Sequence, residues 1–244
     1  MSNTRVNVLV PIDVLSGETI PEPVIELLSG MDVTLLGYHV FPEQTATEQA
    51  HDQFHEKVAA ELAAYEARFE SHGGTVQSRS VFTHDKADTI ERVAVEERTG
   101  TVLLLNPAPK IERVLVPIRG AVNVDRLAGV TAALAATAGL EIRLFHVTDE
   151  DGVEAGETLL ADARQSFVDA GVNEERLTTE VAVAEQPIEA LKSAADTTDF
   201  VIMGEHEPSI LDIILGEAST KVADSSLSPV LVVRTGKHKN TESE

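Results

Sequence analysis

Cysteine is absent from all 244 residues, so the chain can form no disulfide and do no thiolate chemistry, a composition that agrees with a reducing cytoplasm. Tryptophan is also missing and aromatic residues make up 4%, which leaves a core to be built from aliphatic side chains. Long apolar runs are lacking too. Val102–Leu105, Ala132–Ala136 and Val230–Val233 are four or five residues long, against the roughly 20 that cross a bilayer. The start, Met1-Ser-Asn-Thr-Arg5, enters a strand-like run without a signal-peptide apolar region. These absences predict a soluble cytoplasmic protein with no membrane insertion. Positive charge is scarce: 19 basic against 41 acidic residues give a net charge of −22. The acids are spread along the chain, which disfavours DNA, RNA and anionic membranes as partners. A halophile cytoplasm accounts for such a surface, because at ~1 M salt the Debye length falls to about 3 Å and self-repulsion is screened.

What is present is 43% hydrophobic residues, enough for a real core, and an internal repeat. Arg5-Val-Asn-Val-Leu-Val-Pro-Ile12 returns as Arg113-Val-Leu-Val-Pro-Ile118, and Leu36-Gly-Tyr-His-Val40 as Arg143-Leu-Phe-His-Val147. Thr89-Ile-Glu-Arg-Val93 matches Pro187-Ile-Glu-Ala-Leu191, and Val102-Leu-Leu-Leu-Asn106 matches Val201-Ile-Met-Gly204 in place. Each copy alternates β-branched runs with helix-period segments, the pattern of βαβ units around a parallel sheet. Strands are expected at 5–12, 33–41, 76–83 and 101–105, then at 113–119, 140–147, 178–184, 199–203 and 229–233.

In the first copy Phe54, Val58, Leu62, Tyr65 and Phe69 form one apolar helix stripe that Gly73-Gly74 ends. The next helix starts after Asp85, a natural N-cap, and buries Ile90, Val93 and Ala94. In the second copy the helices carry Val124, Leu127, Leu134 and Ala138, then Leu160, Ala163 and Phe167; a third begins near Pro187 and a fourth spans about 217–226. After Asn106-Pro-Ala-Pro109 the chain passes straight into the second copy, so the first has room for four strands only. The expected organisation is an α/β chain of two Rossmann-like domains, 1–110 and 111–236, with a polar tail at 237–244. The fourth strand of the first domain would be an open edge. The fifth strand of the second domain is the natural shield, within the chain or across a homodimer, with Leu231 and Val233 reaching toward the first domain.

The second half resembles the universal stress protein (UspA) family. The matching features are Val114-Leu-Val-Pro117, Phe145-His-Val147, and the run from Val201-Ile-Met-Gly204 to Pro229-Val-Leu-Val-Val-Arg234. The first half resembles it through Val8-Leu-Val-Pro-Ile-Asp13 and Gly37-Tyr-His-Val40, and the whole looks closest to acidic tandem members of haloarchaeal type. The resemblance implies strand order 3-2-1-4-5 in the complete domain, stress-linked roles and dimers built on the fifth strand. It also implies a nucleotide site at the carboxyl ends of the strands, with phosphates on a Gly-x-x-Gly loop, a later Gly-Ser or Gly-Thr, and an Asp after the first strand.

Residue by residue, that site is incomplete. Gly204 and Gly216 keep two glycine positions, but Glu207 replaces another glycine, and Glu217, before Ala218, replaces the hydroxyl. A carboxylate about 4 Å from a phosphate costs on the order of 1 kcal/mol in water and about 4 at an effective dielectric near 20. Arg119 stands where the family has its Asp. The remaining positions implied for this half are Pro117, Val147 and Met203, and the first half keeps Pro11, Asp13 and Val40 but has no phosphate loop.

Other candidates are weaker. His51 and His55 have the i, i+4 spacing of a chelating pair, yet two ligands make a poor site and the pair reads as the edge of the apolar stripe. His39 and His146 occupy matched strand ends, where they either pack or line a crevice. His206 between Glu205 and Glu207 reads as a solvated acidic loop. No nucleophile motif or paired-carboxylate pocket stands out. The expectation is a non-catalytic stress or regulatory protein without cofactor or metal, acting as a homodimer or intrachain pseudo-dimer on a protein partner. Alternatives are an ATP- or AMP-binding module and an accessory regulator of a membrane transporter.

Overall fold

The computed structural model describes residues 5–41, 47–120, 123–205 and 228–234, with the side chains of 47–53 set aside. Chain order is β1 (Asn7–Ile12), α1 (Glu22–Leu28), β2 (Asp32–Val40), α2 (Thr47–Ser71), β3 (Thr75–Thr83), α3 (Lys86–Glu96) and β4 (Thr101–Leu104). The second half continues with β5 (Arg113–Pro117), α4 (Val124–Ala135), β6 (Glu141–Thr148), α5 (Val153–Asp169), β7 (Leu177–Val183), α6 (Pro187–Ala195), β8 (Phe200–Gly204) and β9 (Val230–Val233). The expected helix at 217–226 lies outside the described residues. The expected strands stand within two residues of their bounds, and Ala138 falls just past the end of α4.

Local chemistry explains most boundaries. Asp85 caps α3, its carboxylate accepting from Asp88 N at 2.9 Å. Gly73 adopts φ +79° after α2, and Gly74 N donates to Phe69 O at 3.0 Å, closing the helix. The expected stripe on α2 is buried at Val58, Leu62, Tyr65 and Phe69, with Phe54 half-buried. Short α1, capped by Pro21 with Pro23 in its first turn, has no counterpart among the expected helices; it buries Val24, Ile25, Leu27 and Leu28.

The strands form one nine-stranded sheet in the order β3-β2-β1-β4-β9-β8-β5-β6-β7. Read from β7 inward, the second half has the order 3-2-1-4-5. Crossovers moving one way along a sheet place their helices on one face, and the return crossover places its helix on the other. Accordingly α1, α2, α4 and α5 share a core with Val8, Val10, Val114 and Val116, while α3 and α6 pack on the opposite face against Leu9, Leu115 and Met203.

The halves meet at β9. It pairs parallel with β8 (Ile202↔Leu231) and antiparallel with β4 (Leu103↔Leu231), so one strand completes both halves. The union with the first half is therefore a main-chain ladder. Side chains alternate about it: Leu231 and Val233 join the four-helix face, and Val230 and Val232 the other. Because β4 and β9 are antiparallel, the carboxyl ends of β1 and β4 lie at the opposite end of the sheet from those of β5 and β8.

At the amino end of β8, Asp199 accepts from Arg113 N at 2.9 Å, Glu112 N at 3.2 Å and the Arg113 guanidinium at 3.2 Å. Burial works to raise its pKa, but these donors outweigh it and hold the carboxyl below its usual range.

Candidate functional site

Two strand-end regions face opposite ways. In the first half, Pro11 is buried near the end of β1, Asp13 follows it, and Val40 ends β2 with its side chain exposed. Asp13 Oδ1 meets His39 Nδ1 at 2.7 Å, and Asp13 Oδ2 accepts from Ser16 Oγ at 2.9 Å. The backbone N–H of Asp13 donates to Glu18 Oε2 at 2.6 Å. The one acidic position that the family resemblance singles out is thus engaged by the chain itself.

Around this pair stand groups the sequence reading did not single out. Burial pushes the Glu18 carboxyl up, partly offset by the Asp13 N–H and by Lys86. Burial, with Glu18 and Asp13 nearby, raises the Tyr38 phenol as well. Lys86 Nζ lies 5.3 Å from the Tyr38 ring centroid. His39 packs edge-on to Phe41, which stacks on Phe54 and tilts against Phe82. Glu18 carries no motif, and only the turn through φ +77° at Gly17 brings it back to Asp13.

A raised folded pKa means Glu18 favours the native state when protonated. That contribution is full below the ordinary value near 4.5 and is lost as pH rises through the higher folded value. Glu18→Gln keeps an acceptor for Asp13 N and removes the charge. It is expected to raise Tm at pH 8, with a gain that shrinks toward pH 5. A variant less stable than wild type at pH 8 would show that the charge is needed there.

In the second half, Pro117 is buried at the end of β5, Met203 is fully buried in β8, Val147 is half-buried in β6, and Gly204 ends β8 with none of the described residues within 4 Å of where a Cβ would stand. Arg119 is exposed two residues beyond β5. These residues gather at the carboxyl ends of β5, β6 and β8, as the family pattern implies. His206, Glu207, Gly216, Glu217 and Ala218 lie outside the described residues, as does the side chain of His51.

The matched histidines differ in partner. His39 meets a carboxylate, whereas His146 Nδ1 meets the carbonyl of Ile118 at 2.7 Å. Gly156 packs so closely on His146 that a Cβ would come within 2.7 Å of the ring. Each histidine is held by a partner from its own half at the rim of its sheet end. Among the described residues no three His, Cys, Asp or Glu side chains gather as a metal site would need.

The pairing of Arg234, which ends the motif run, emerged only in the structure. Following β9, it pairs with Glu91 on α3 and with Glu205 after β8, at 3.4 Å for the latter, and its N–H donates to Gly100 O at 2.9 Å. The side chain is 15% exposed, so one guanidinium clamps both halves at their junction. Among the described residues, no helix is long and apolar enough to cross a membrane.

The geometry is that of an α/β protein built on a mostly parallel central sheet. The universal stress protein family model matches residues 110–234, just over half of the chain, and the chain belongs to that family. A universal stress protein from Archaeoglobus fulgidus DSM 4304 is similar in fold at 17% identity. It superposes with a TM-score of 0.61 over 95% of this chain and 97% of that one. A structure titled as a putative universal stress protein from Pseudomonas aeruginosa UCBPP-PA14 gives 0.53 at 14% identity, over 94% and 93%. A universal stress protein solved in complex with cAMP is 22% identical, covering 52% of this chain and 98% of that one, with a TM-score of 0.38. No curated protein matches the chain.

Proposed function

We propose that this protein is a non-catalytic stress-response or regulatory member of the universal stress protein family, with a degenerate nucleotide site, acting through its surface on a protein partner. One observation carries the reading. The acidic residue of the family pattern, Asp13, and its first glycine, Gly204, are divided between the halves and lie at opposite ends of the sheet. Asp13 belongs to the half without the loop, and its carboxylate already bonds His39 and Ser16. Gly204 belongs to the half in which Arg119 replaces the acid. On this reading the chain acts as an intrachain pseudo-dimer, since β4 occupies the β9 edge on which the resemblance implies family dimers are built.

A second reading, an ATP- or AMP-binding module, is favoured by the clearance around Gly204 among the described residues. Thermal shift with ATP and Mg²⁺ in molar KCl separates the two. Ligand at 100 times its Kd adds about 2.7 kcal/mol to stability. Wild type is expected to show no shift, and Glu207→Gly with Glu217→Ser to gain one, because a glycine and a hydroxyl return to the phosphate positions. A micromolar Kd for wild type by calorimetry would move the conclusion to the second reading.

A further inference from the structure

We infer that Arg98 and Arg126 form a binding site for a small phosphate-bearing anion where the two halves meet, a site that goes beyond the proposed function and uses neither the acid nor the glycines of the family pattern. The chain has twelve arginines among 41 acidic residues, so a carboxylate partner is within easy reach of most guanidinium groups. Ten of the twelve have a partner. Among the described residues Arg98 and Arg126 have neither a hydrogen-bond nor an ionic partner for their side chains, and both are exposed. The two exceptions stand at one place.

Arg98 lies in the turn from α3 to β4, and Arg126 in the first turn of α4. The antiparallel pairing of β4 with β9 puts the amino end of β4 beside the carboxyl ends of β8 and β9, the end of the sheet at which α4 begins. Gly100, just before β4, is the point of contact. A Cβ there would stand 2.3 Å from Arg126 Nη2. Gly100 does not have a positive φ, so what its missing side chain provides is room for that guanidinium. Arg98 is two residues earlier, its Cα at most about 7 Å from that of Gly100.

The backbone of Arg98 adds a second observation. Directly after the C-cap of α3 it adopts φ +52°, the left-handed conformation that glycine takes at no steric cost. A long cation held in that conformation, with no described partner in the fold, is placed for a group outside it. The acids nearby are committed: Glu97 bonds Arg79, and Glu91 and Glu205 share Arg234. Asp125 precedes Arg126 on α4, and neighbours one residue apart on a helix do not face each other. Guanidinium groups grip phosphate oxygens through paired N–H donors. A net charge of −22 repels nucleic acid, so the ligand that fits is a compact dianion.

The test titrates the full chain into inorganic phosphate and, separately, glycerol 3-phosphate, followed by phosphorus NMR at pH 8 in 0.5 M KCl, where phosphomonoesters are dianionic. Saturable line broadening is expected with wild type, and the tighter of the two ligands tells a free ion from an ester. Arg98→Gln and Arg126→Gln should each weaken binding by ~10-fold, and together abolish it, with Tm unchanged. Arg164→Gln, at an arginine paired with Glu174, should leave binding as it is. Arg98→Gly should lose binding as Arg98→Gln does while Tm holds or rises, because the turn suits glycine. Absence of saturable broadening, binding that survives both glutamines, or a loss controlled by one arginine alone would overturn the site. A lower Tm in Arg98→Gly would overturn it too, since the side chain would then belong to the fold.

Discussion

Leu231→Asp is expected to unfold both halves of the chain in one calorimetric transition. Leu231 is completely buried in the middle of β9, facing Leu103 on β4 and Ile202 on β8, themselves completely buried. An aspartate there is a charge in an aliphatic layer with no cation to meet. Burying an unpaired ion costs several kcal/mol, against a typical total stability of about 5–15 kcal/mol. The loss cannot stay local, because β9 is the fifth strand of the second half and the edge cover of the first. Scanning calorimetry in molar KCl should show one transition moved far down, or none. Val183→Asp, at a position 52% exposed at the end of β7, is the control and should change Tm little. Two separated transitions in Leu231→Asp, with the first half unaffected, would show that the β4 edge is protected by something other than β9.

Removing salt should have the other large effect. With a net charge of −22, repulsion that is screened beyond about 3 Å at 1 M salt reaches about 30 Å at 0.01 M. The described ion pairs offset little of this, since exposed pairs contribute roughly 0–1 kcal/mol each. Glu96, for example, is held below its usual pKa by Arg79 and Arg92, yet stands at the surface. Tm is expected to fall by ~10 °C or more between 1 M and 0.01 M KCl, which at ~2–4 °C per kcal/mol corresponds to roughly 3–5 kcal/mol. Circular dichroism and Tm that stay constant across that range would remove the argument for a halophilic surface.

Much of this fold was legible because local chemistry and tertiary need agree. Asp85 caps a helix by its own side chain, Gly73-Gly74 can end one with φ positive, and the α2 stripe has only one way to be buried. Helix α1 was not legible: seven residues, with prolines before and within the first turn, give too short a period to read. The edge logic of a missing fifth strand pointed to β9, but not to its direction. That direction, antiparallel to β4, turns the two strand-end regions away from each other, and no residue of β9 encodes it alone. At the candidate site, the strand-end positions were readable from the repeat. The pairings of Glu18 and Arg234 were not, because each acts through a partner distant in sequence or across a turn.

The shared strand also sets an order of events during synthesis. Thr101 pairs with Val233, so the first half emerges from the ribosome long before the strand that seals its sheet. At about 5–20 residues per second, the stretch from 105 to 234 takes roughly 6–26 s to make. Through that interval β4 offers Val102, Leu103 and Leu104 along an open ladder, in a nascent chain whose own carboxylates keep neighbouring copies apart. The acidity expected to weaken the finished fold in dilute buffer is thus expected to shield the unfinished one.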